Sequence, residues 1–141
     1  MSLSATVTGP RWRTVWRTEY LWQPEDRAVV GGVLLFAGLH VWTADTPTPR
    51  ERHAWAETLA EMEQLAPRFV VVGHRSADSA TDASVIAYTR AYLAEFEEEL
   101  AKHGNDSEAL KSAILERHPD LGLAAALDLG TKVATGEMSW G

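Results

Sequence analysis

The side chains that could bind a metal ion in this chain are its five histidines and its carboxylates, because it contains no cysteine. The absence of cysteine excludes thiol nucleophiles, thiolate zinc sites and disulfides, so a zinc ion would need His and carboxylate ligands. His74 is the first candidate, since it follows the β-branched run Phe69–Val72 and Gly73. Such a run predicts a buried strand, and sites in α/β proteins favour strand ends.

The other polar candidates have structural roles that compete with a chemical one. Asp45, Asp78 and Asp82 could supply carboxylates, but Asp45 precedes a capped helix and Asp82 is placed to cap the next one. Arg75 could contact an anionic substrate, although a solvated loop arginine is the commoner case. We interpret the three histidines without ligand spacing to a partner as surface residues; they are His53, His103 and His118.

Several functional classes lack their motifs. The pair Gly31-Gly32 has neither the spaced glycines nor the lysine of a phosphate-binding loop. No serine lies in a nucleophile-elbow context, so a serine hydrolase is unsupported. Arginines and tryptophans alternate over residues 11–22, which resembles a nucleic-acid stacking platform, but alternation places the two residue types on opposite faces of a strand.

Charge and hydropathy limit the partners further. The net charge of -7 gives no general attraction to phosphate backbones or anionic lipid. The longest apolar stretch, Val29 to Leu39, is far short of the roughly 20 residues that span a bilayer, and the first residues lack the apolar segment of a secretion signal. We therefore expect a cytoplasmic protein with neither a nucleic-acid nor a membrane partner.

The strands and helices that must position these residues are predicted from the spacing of apolar residues and from the capping residues, glycines and prolines between them. Period-two alternation predicts a strand from Arg11 to Trp22, and an apolar run predicts one or two short buried strands over Ala28–Phe36, with a bend at Gly31-Gly32. Thr48, Pro49 and Glu51 form the pattern of a capping box, so a helix begins there, and Pro67 ends it.

The second half of the chain is predicted to be helical. A long helix should end at Gly104, with an inner stripe at helical spacing and the acidic run Glu95–Glu99 on its solvated face. The stripe consists of Val85, Thr89, Tyr92, Phe96 and Leu100. Two shorter helices should follow, from about Asp106 to Arg117 and from about Leu123 to Thr135.

This order of elements favours an α/β layered fold, with three or four strands and helices on one face of the sheet. We divide the chain into a flexible end (residues 1–10), an α/β domain (11–104) and a C-terminal helical extension (105–141). The opposite face of the sheet would then be apolar and uncovered, so we expect something to pack on it.

The stretch from Asp26 to Phe96 resembles the C-terminal half of metallo-β-lactamase-fold hydrolases, and most closely a bacterial subgroup of uncharacterised members. The similarity lies in the order and spacing of several segments as well as in residue type. These segments are Arg27–Val33, Gly38–Trp42, Trp55 with Leu59 and Leu65, Pro67–His74 and Tyr88–Leu93, and the tail segments Pro119–Leu123 and Gly136–Trp140 also resemble the extension of that subgroup.

The resemblance implies half of an αββα sandwich: one small mixed sheet covered by helices, with a C-terminal helical extension. In that family zinc activates a water for hydrolysis. His74 matches the last metal ligand of the family, and His40 falls on the neighbouring strand, where it could contact a ligand or substrate. Two departures stand out: the HxHxDH signature is absent, and Gly32 occupies the position of the bridging aspartate.

Two functions are therefore expected. In the first, the chain is a truncated relative of zinc-dependent hydrolases, inactive alone, with low zinc occupancy at His74 and no other cofactor. It would pair through its exposed sheet as a homodimer or with a complementary N-terminal half, and His40, Asp45 and Arg75 could contact substrate in the completed site. In the second, it is a non-catalytic module that binds a small ligand or another protein.

Overall fold

The computed structural model describes residues 20–141. Its elements are β1 (Leu21–Gln23), β2 (Ala28–Ala37), α1 (Pro49–Gln64), β3 (Phe69–Arg75), α2 (Ser84–His103), α3 (Ser107–Arg117) and α4 (Ala124–Ala134). The first ten residues and most of the strand predicted over Arg11–Trp22 lie outside the described residues; Leu21 and Trp22 belong to β1.

The three strands form one mixed sheet in the order β1-β2-β3. β1 pairs antiparallel with β2, and β3 pairs parallel with β2. The predicted bend in β2 is confirmed: the register with β3 shifts on both sides of Gly32, whose φ of 52° is in the left-handed region. β2 is nevertheless one continuous strand. Gly73 is needed opposite the bend, because a Cβ atom there would lie 2.2 Å from the Gly32 carbonyl oxygen.

Helix α1 begins and ends where the local signals predict. The Thr48 hydroxyl accepts a hydrogen bond from the Glu51 backbone N–H, and the Glu51 carboxylate accepts one from the Thr48 N–H, which completes the capping box. The helix ends at Gln64, three residues before Pro67. Its buried side chains include Trp55, whose indole N–H donates to the Leu34 carbonyl oxygen at 3.0 Å and so ties the helix to β2.

Helix α2 lies against β2, α1 and α3, and its predicted end is confirmed, with Gly104 at its C-terminal cap. The interpretation of its acidic run as a solvated face is wrong. Glu99 is buried and accepts hydrogen bonds from Arg117 of α3, and Glu97 accepts from Arg52 of α1. Arginines from both neighbouring helices face this run, so it joins helices to one another. The two predicted C-terminal helices are confirmed as α3 and α4.

β3 is less buried than its β-branched sequence predicts. Val70 is buried, whereas Phe69 and Val71 are each 55% exposed. Helices cover only one face of the described sheet, and side chains alternate between faces along a strand. The register places Leu21, Val30 and Val71 in one cross-strand row, with Phe69 two residues from Val71 on the same side. We call these four residues the outer face.

Candidate functional site

His74 lies near the end of β3, opposite Phe36 of β2. Its imidazole stacks on the Phe36 ring, with the centroids 4.9 Å apart and the planes 8° from parallel. Phe36 is fully buried and also contacts Trp55, whereas His74 is exposed. The imidazole therefore covers a core aromatic ring at the edge of the sheet, which is a packing role.

The described residues do not surround His74 with metal ligands. Zinc sites use three or four protein ligands. Within residues 20–141, no group of three or more His, Asp or Glu side chains is placed to hold a metal ion. A zinc ion at His74 would thus need ligands from beyond the described part of this chain, and we derive no catalytic step through one. Arg75, the next residue, is exposed at the end of β3.

Asp45 lies in a separate environment, in the loop before α1. Its carboxylate accepts a hydrogen bond from the Trp140 indole N–H at 2.9 Å. Trp140 also meets Trp42 edge to face, with the ring centroids 5.5 Å apart. Asp45 thereby connects this loop to the C-terminal tail.

His40 lies in the loop after β2, so its predicted place on the neighbouring strand is wrong, and it is buried in a cluster that the sequence did not predict. Its Nδ1 atom lies 2.9 Å from the Tyr92 hydroxyl oxygen. The Tyr92 ring stacks on His118 at 5.2 Å, and the Nε2 atom of His118 lies 2.5 Å from a carboxylate oxygen of Glu95. Tyr88 packs edge to face on Tyr92 and donates its hydroxyl proton to the Leu39 carbonyl oxygen. We call His40, Tyr88, Tyr92, Glu95 and His118 the aromatic–histidine cluster.

Burial and neighbouring charges set the protonation states in this cluster. Burial lowers the pKa of His40, and the nearby His118 lowers it further. Burial also raises the pKa values of Tyr88 and Tyr92, with a further contribution from Glu95 to each. At neutral pH His40 is therefore uncharged and both tyrosines keep their protons. Because Tyr92 and His118 meet by ring stacking, these contacts form no continuous hydrogen-bonded proton path.

The structure places the four predicted site residues in three separate environments. His74 and Arg75 end β3, His40 belongs to the aromatic–histidine cluster, and Asp45 contacts the tail. The interpretation of His118 as a surface residue is wrong, because the chain after α3 folds back and lays its ring on Tyr92.

Tyr92, Glu95 and His118 were missed as a group. One signal could have found part of it: Tyr88, Tyr92 and Glu95 are four and three residues apart along α2, which places them on one helix face.

The outer face is the second feature of interest. Leu21 is 37% exposed and Val30 is partly exposed, beside the more exposed Phe69 and Val71. None of these four residues carries a charge. Charged residues of both signs lie at the two ends of the strands, and all are exposed: Glu25, Asp26, Arg27 and Arg68 at one end, and Arg75 and Asp78 at the other.

The fold and these two features define a mixed α/β protein with a three-stranded sheet and four helices in its described part. No protein-family model, curated protein or solved structure matches this chain. Among the described helices, none combines the length and the apolar character that crossing a membrane requires. The resemblance to metallo-β-lactamase-fold hydrolases stays a prediction.

Proposed function

We propose that this chain is an interaction module that corresponds to the C-terminal half of a metallo-β-lactamase-like sandwich. It pairs with a second copy of itself through the outer face and has no hydrolase activity as a single chain. The observation that carries the proposal is the uncharged row Leu21–Val30–Val71, extended by Phe69, on the sheet face opposite the helices.

An apolar sheet face is stabilised when a second layer removes it from water. Exposed apolar patches of this kind mark interaction surfaces in soluble proteins. The two most exposed side chains of the outer face, Phe69 and Val71, are adjacent on one side of β3, so a single flat surface could cover both. Two sheets packed face to face form the central layers of a sandwich.

Charge favours a second copy as the occupant. A two-fold interface brings the same patch of each copy together, so the patch must be compatible with itself. An uncharged face meets this condition even on a chain of net charge -7. The charged residues around the outer face are also compatible with a second copy, because each end of the strands carries both a positive and a negative side chain. These are Glu25 and Arg68 at one end, and Asp78 and Arg75 at the other. Opposite charges can therefore face each other across the axis.

In this proposal, zinc is bound only where residues of more than one chain supply its ligands. His74 alternates onto the side of β3 opposite Phe69 and Val71, at the exposed end of the strand, so ligands from a second copy would have to reach it around the edge of the sheet. When bound by enough ligands, zinc would supply a hydroxide nucleophile near neutral pH. A site shared between copies would explain how a chain without the HxHxDH signature could still hold the metal.

Light scattering on the untagged full chain at tens of micromolar tests the pairing. The expected mass is about 31 kDa, twice the 15.5 kDa of one chain. Val71→Glu should give the single-chain mass, because it places a charge beside Phe69 on the apolar outer face, where a second copy would bury it. Leu115→Glu is the matched control: Leu115 is 38% exposed on α3, far from β3 in the sequence, and its replacement should leave the dimer intact.

A wild-type chain with the single-chain mass would contradict the proposal, as would a Val71→Glu chain that stays dimeric. Circular dichroism on the same samples checks that both variants are folded. Elemental analysis of those samples distinguishes a dimer that holds zinc from a dimer that holds none. Near-stoichiometric zinc that is lost in His74→Ala supports a shared metal site, whereas a dimer without zinc supports pairing alone.

A further inference from the structure

We propose that the aromatic–histidine cluster is a pH-sensitive latch. It fastens the connection between α3 and α4 onto α2 and the loop after β2 at neutral pH, and it releases that connection when His40 takes up a proton. This inference is independent of pairing through the outer face.

The latch joins two segments that are far apart in the sequence. The His40 N–H donates to the Gly122 carbonyl oxygen at 2.9 Å, and the Gly122 N–H donates to the Gly38 carbonyl oxygen at 3.3 Å. These bonds form an isolated parallel bridge between Leu39 and Gly122. Tyr88 fastens the same loop from the other side through the Leu39 carbonyl oxygen. These bonds hold the loop that carries His40 against the connection after α3.

The hydrogen bond of Tyr92 makes the latch sensitive to protonation. Its hydroxyl oxygen lies 2.9 Å from Nδ1 of His40. In neutral His40, Nδ1 can accept the single hydroxyl proton of Tyr92. Protonated His40 carries a hydrogen on Nδ1, so the buried Tyr92 hydroxyl would lose this acceptor. An unsatisfied buried donor is costly.

A positive charge on His40 would also be poorly compensated by its neighbours. From α2, the cluster presents Tyr88, Tyr92 and Glu95 toward His40, and the connection after α3 presents His118. Glu95 contacts the imidazole of His118, and the contact made by His40 in this cluster is with Tyr92. The other charged groups nearby are engaged or exposed: Arg117 is paired with Glu98 and Glu99, Asp120 is exposed, and Asp45 accepts from Trp140.

The connection itself stores strain that release would relieve. Leu123, directly before α4, has a φ of 62° in the left-handed region, and its side chain makes no capping hydrogen bond. A non-glycine residue in this conformation is strained, because its Cβ atom crowds the following carbonyl oxygen. The bridge at Gly122 is adjacent to this residue, so loss of the bridge frees Leu123 to relax.

The direction of the pH effect follows from linkage. The pKa of His40 is lower in the folded chain than its ordinary value, so the opened or unfolded chain binds this proton more readily. The stabilisation by neutral His40 is complete above its ordinary pKa of about 6.5 and is lost as the pH falls through the lower folded value. Release is therefore expected on the acidic side of neutrality.

Amide hydrogen exchange of the full chain tests the latch. Between about pH 7.5 and pH 5.5, after correction for the chemical exchange rate, the His40 and Gly122 amides should lose protection by up to about tenfold, the limit for one proton taken up with a pKa of about 6.5. The Val29 and Val70 amides in the sheet should keep theirs. His40→Asn places a non-titrating amide oxygen near the position of Nδ1, so protection should then be independent of pH. The matched control His53→Asn, at an exposed site on α1, should behave as wild type.

If His40→Asn does not fold, nitrogen NMR of the histidine side chains in the wild-type chain still tests the latch, because it measures the protonation of His40 directly. His40 should be neutral at pH 7, with Nδ1 unprotonated, and should take up its proton over the same pH range in which the Gly122 amide loses protection. His118→Gln removes the neighbouring imidazole that lowers the pKa of His40, so this midpoint should move to higher pH. Unchanged protection down to about pH 5.5, or a charged His40 at pH 7, would overturn the latch.

Discussion

The Thr89 hydroxyl takes the place of a missing strand partner. β1 pairs with β2 only through Val30, so the later part of β2 has no strand on that side among the described residues. There the Phe36 N–H donates to the Thr89 oxygen at 3.2 Å, and the hydroxyl lies 3.1 Å from the Phe36 carbonyl oxygen. Both residues are fully buried. A single side chain on α2 thus satisfies backbone groups that water cannot reach.

Replacing Thr89 with valine should destabilise the chain by about 1–3 kcal/mol, because it keeps the shape of the side chain but leaves the Phe36 backbone groups unsatisfied. Urea denaturation measures this loss. Thr58→Val is the matched control, because the Thr58 hydroxyl donates to the Ala54 carbonyl oxygen within its own helix. It should change stability by less than about 0.5 kcal/mol. Equal losses in the two variants would show that the Thr89 bonds do not support β2.

Helix ends were predictable from the sequence because their signals are local. Thr48, Pro49 and Glu51 act within one turn, and Gly104 follows directly on the helix that it ends. Contacts between elements were not predictable in the same way. His40 was identified as a candidate, but its partner Tyr92 is 52 residues away, and no local pattern indicates which side chain meets it.

The acidic run of α2 illustrates the same limit. In one helix, a series of glutamates is compatible equally with water and with arginines on neighbouring helices. Here Glu97 meets Arg52 of α1, and Glu99 meets Arg117 of α3. Likewise, a β-branched run predicts a strand but not whether one or both of its faces are covered. β3 was therefore predicted correctly as a strand and wrongly as a buried one.

The contact between α1 and α2 should depend strongly on Arg52. This side chain is buried, donates to the Thr46 carbonyl oxygen at 2.6 Å and to Glu97, and lies over the Phe96 ring. Arg52→Met should reduce the free energy of unfolding by about 2 kcal/mol, a value below that of a fully buried pair because the Glu97 side chain is 33% exposed. Thermal and urea unfolding measure it.

Arg50 provides the matched control, since it is exposed on the same helix, and Arg50→Met should have an effect under about 0.5 kcal/mol. A double-mutant cycle with Glu97→Gln then isolates the pairwise interaction. Additive losses would mean that Arg52 acts through the Thr46 carbonyl and the Phe96 ring without help from Glu97.

At the scale of the whole molecule, one hydrophobic core links the sheet to the C-terminal helices. It contains residues from β2, α1 and α2 together with three from the helices after Gly104, namely Leu110, Ile114 and Leu127. Ion pairs follow the same path, because Arg117 joins α3 to α2 and Lys111 joins α3 to Asp128 of α4. We therefore expect the residues before and after Gly104 to unfold together, although the strained connection at Leu123 can open locally.

Leu127→Ala tests this cooperativity. Leu127 is 2% exposed in the shared core, so its truncation should cost about 2–5 kcal/mol. In urea, the NMR signal of the Trp55 indole N–H, which is bonded to Leu34 of β2, reports on the sheet side, and far-ultraviolet circular dichroism reports on all helices. If the core is one unit, both curves shift together and stay coincident. If circular dichroism shows an earlier transition while Trp55 stays buried, α3 and α4 form a separate unit. Leu115→Ala, at a half-exposed site on α3, should shift neither curve appreciably.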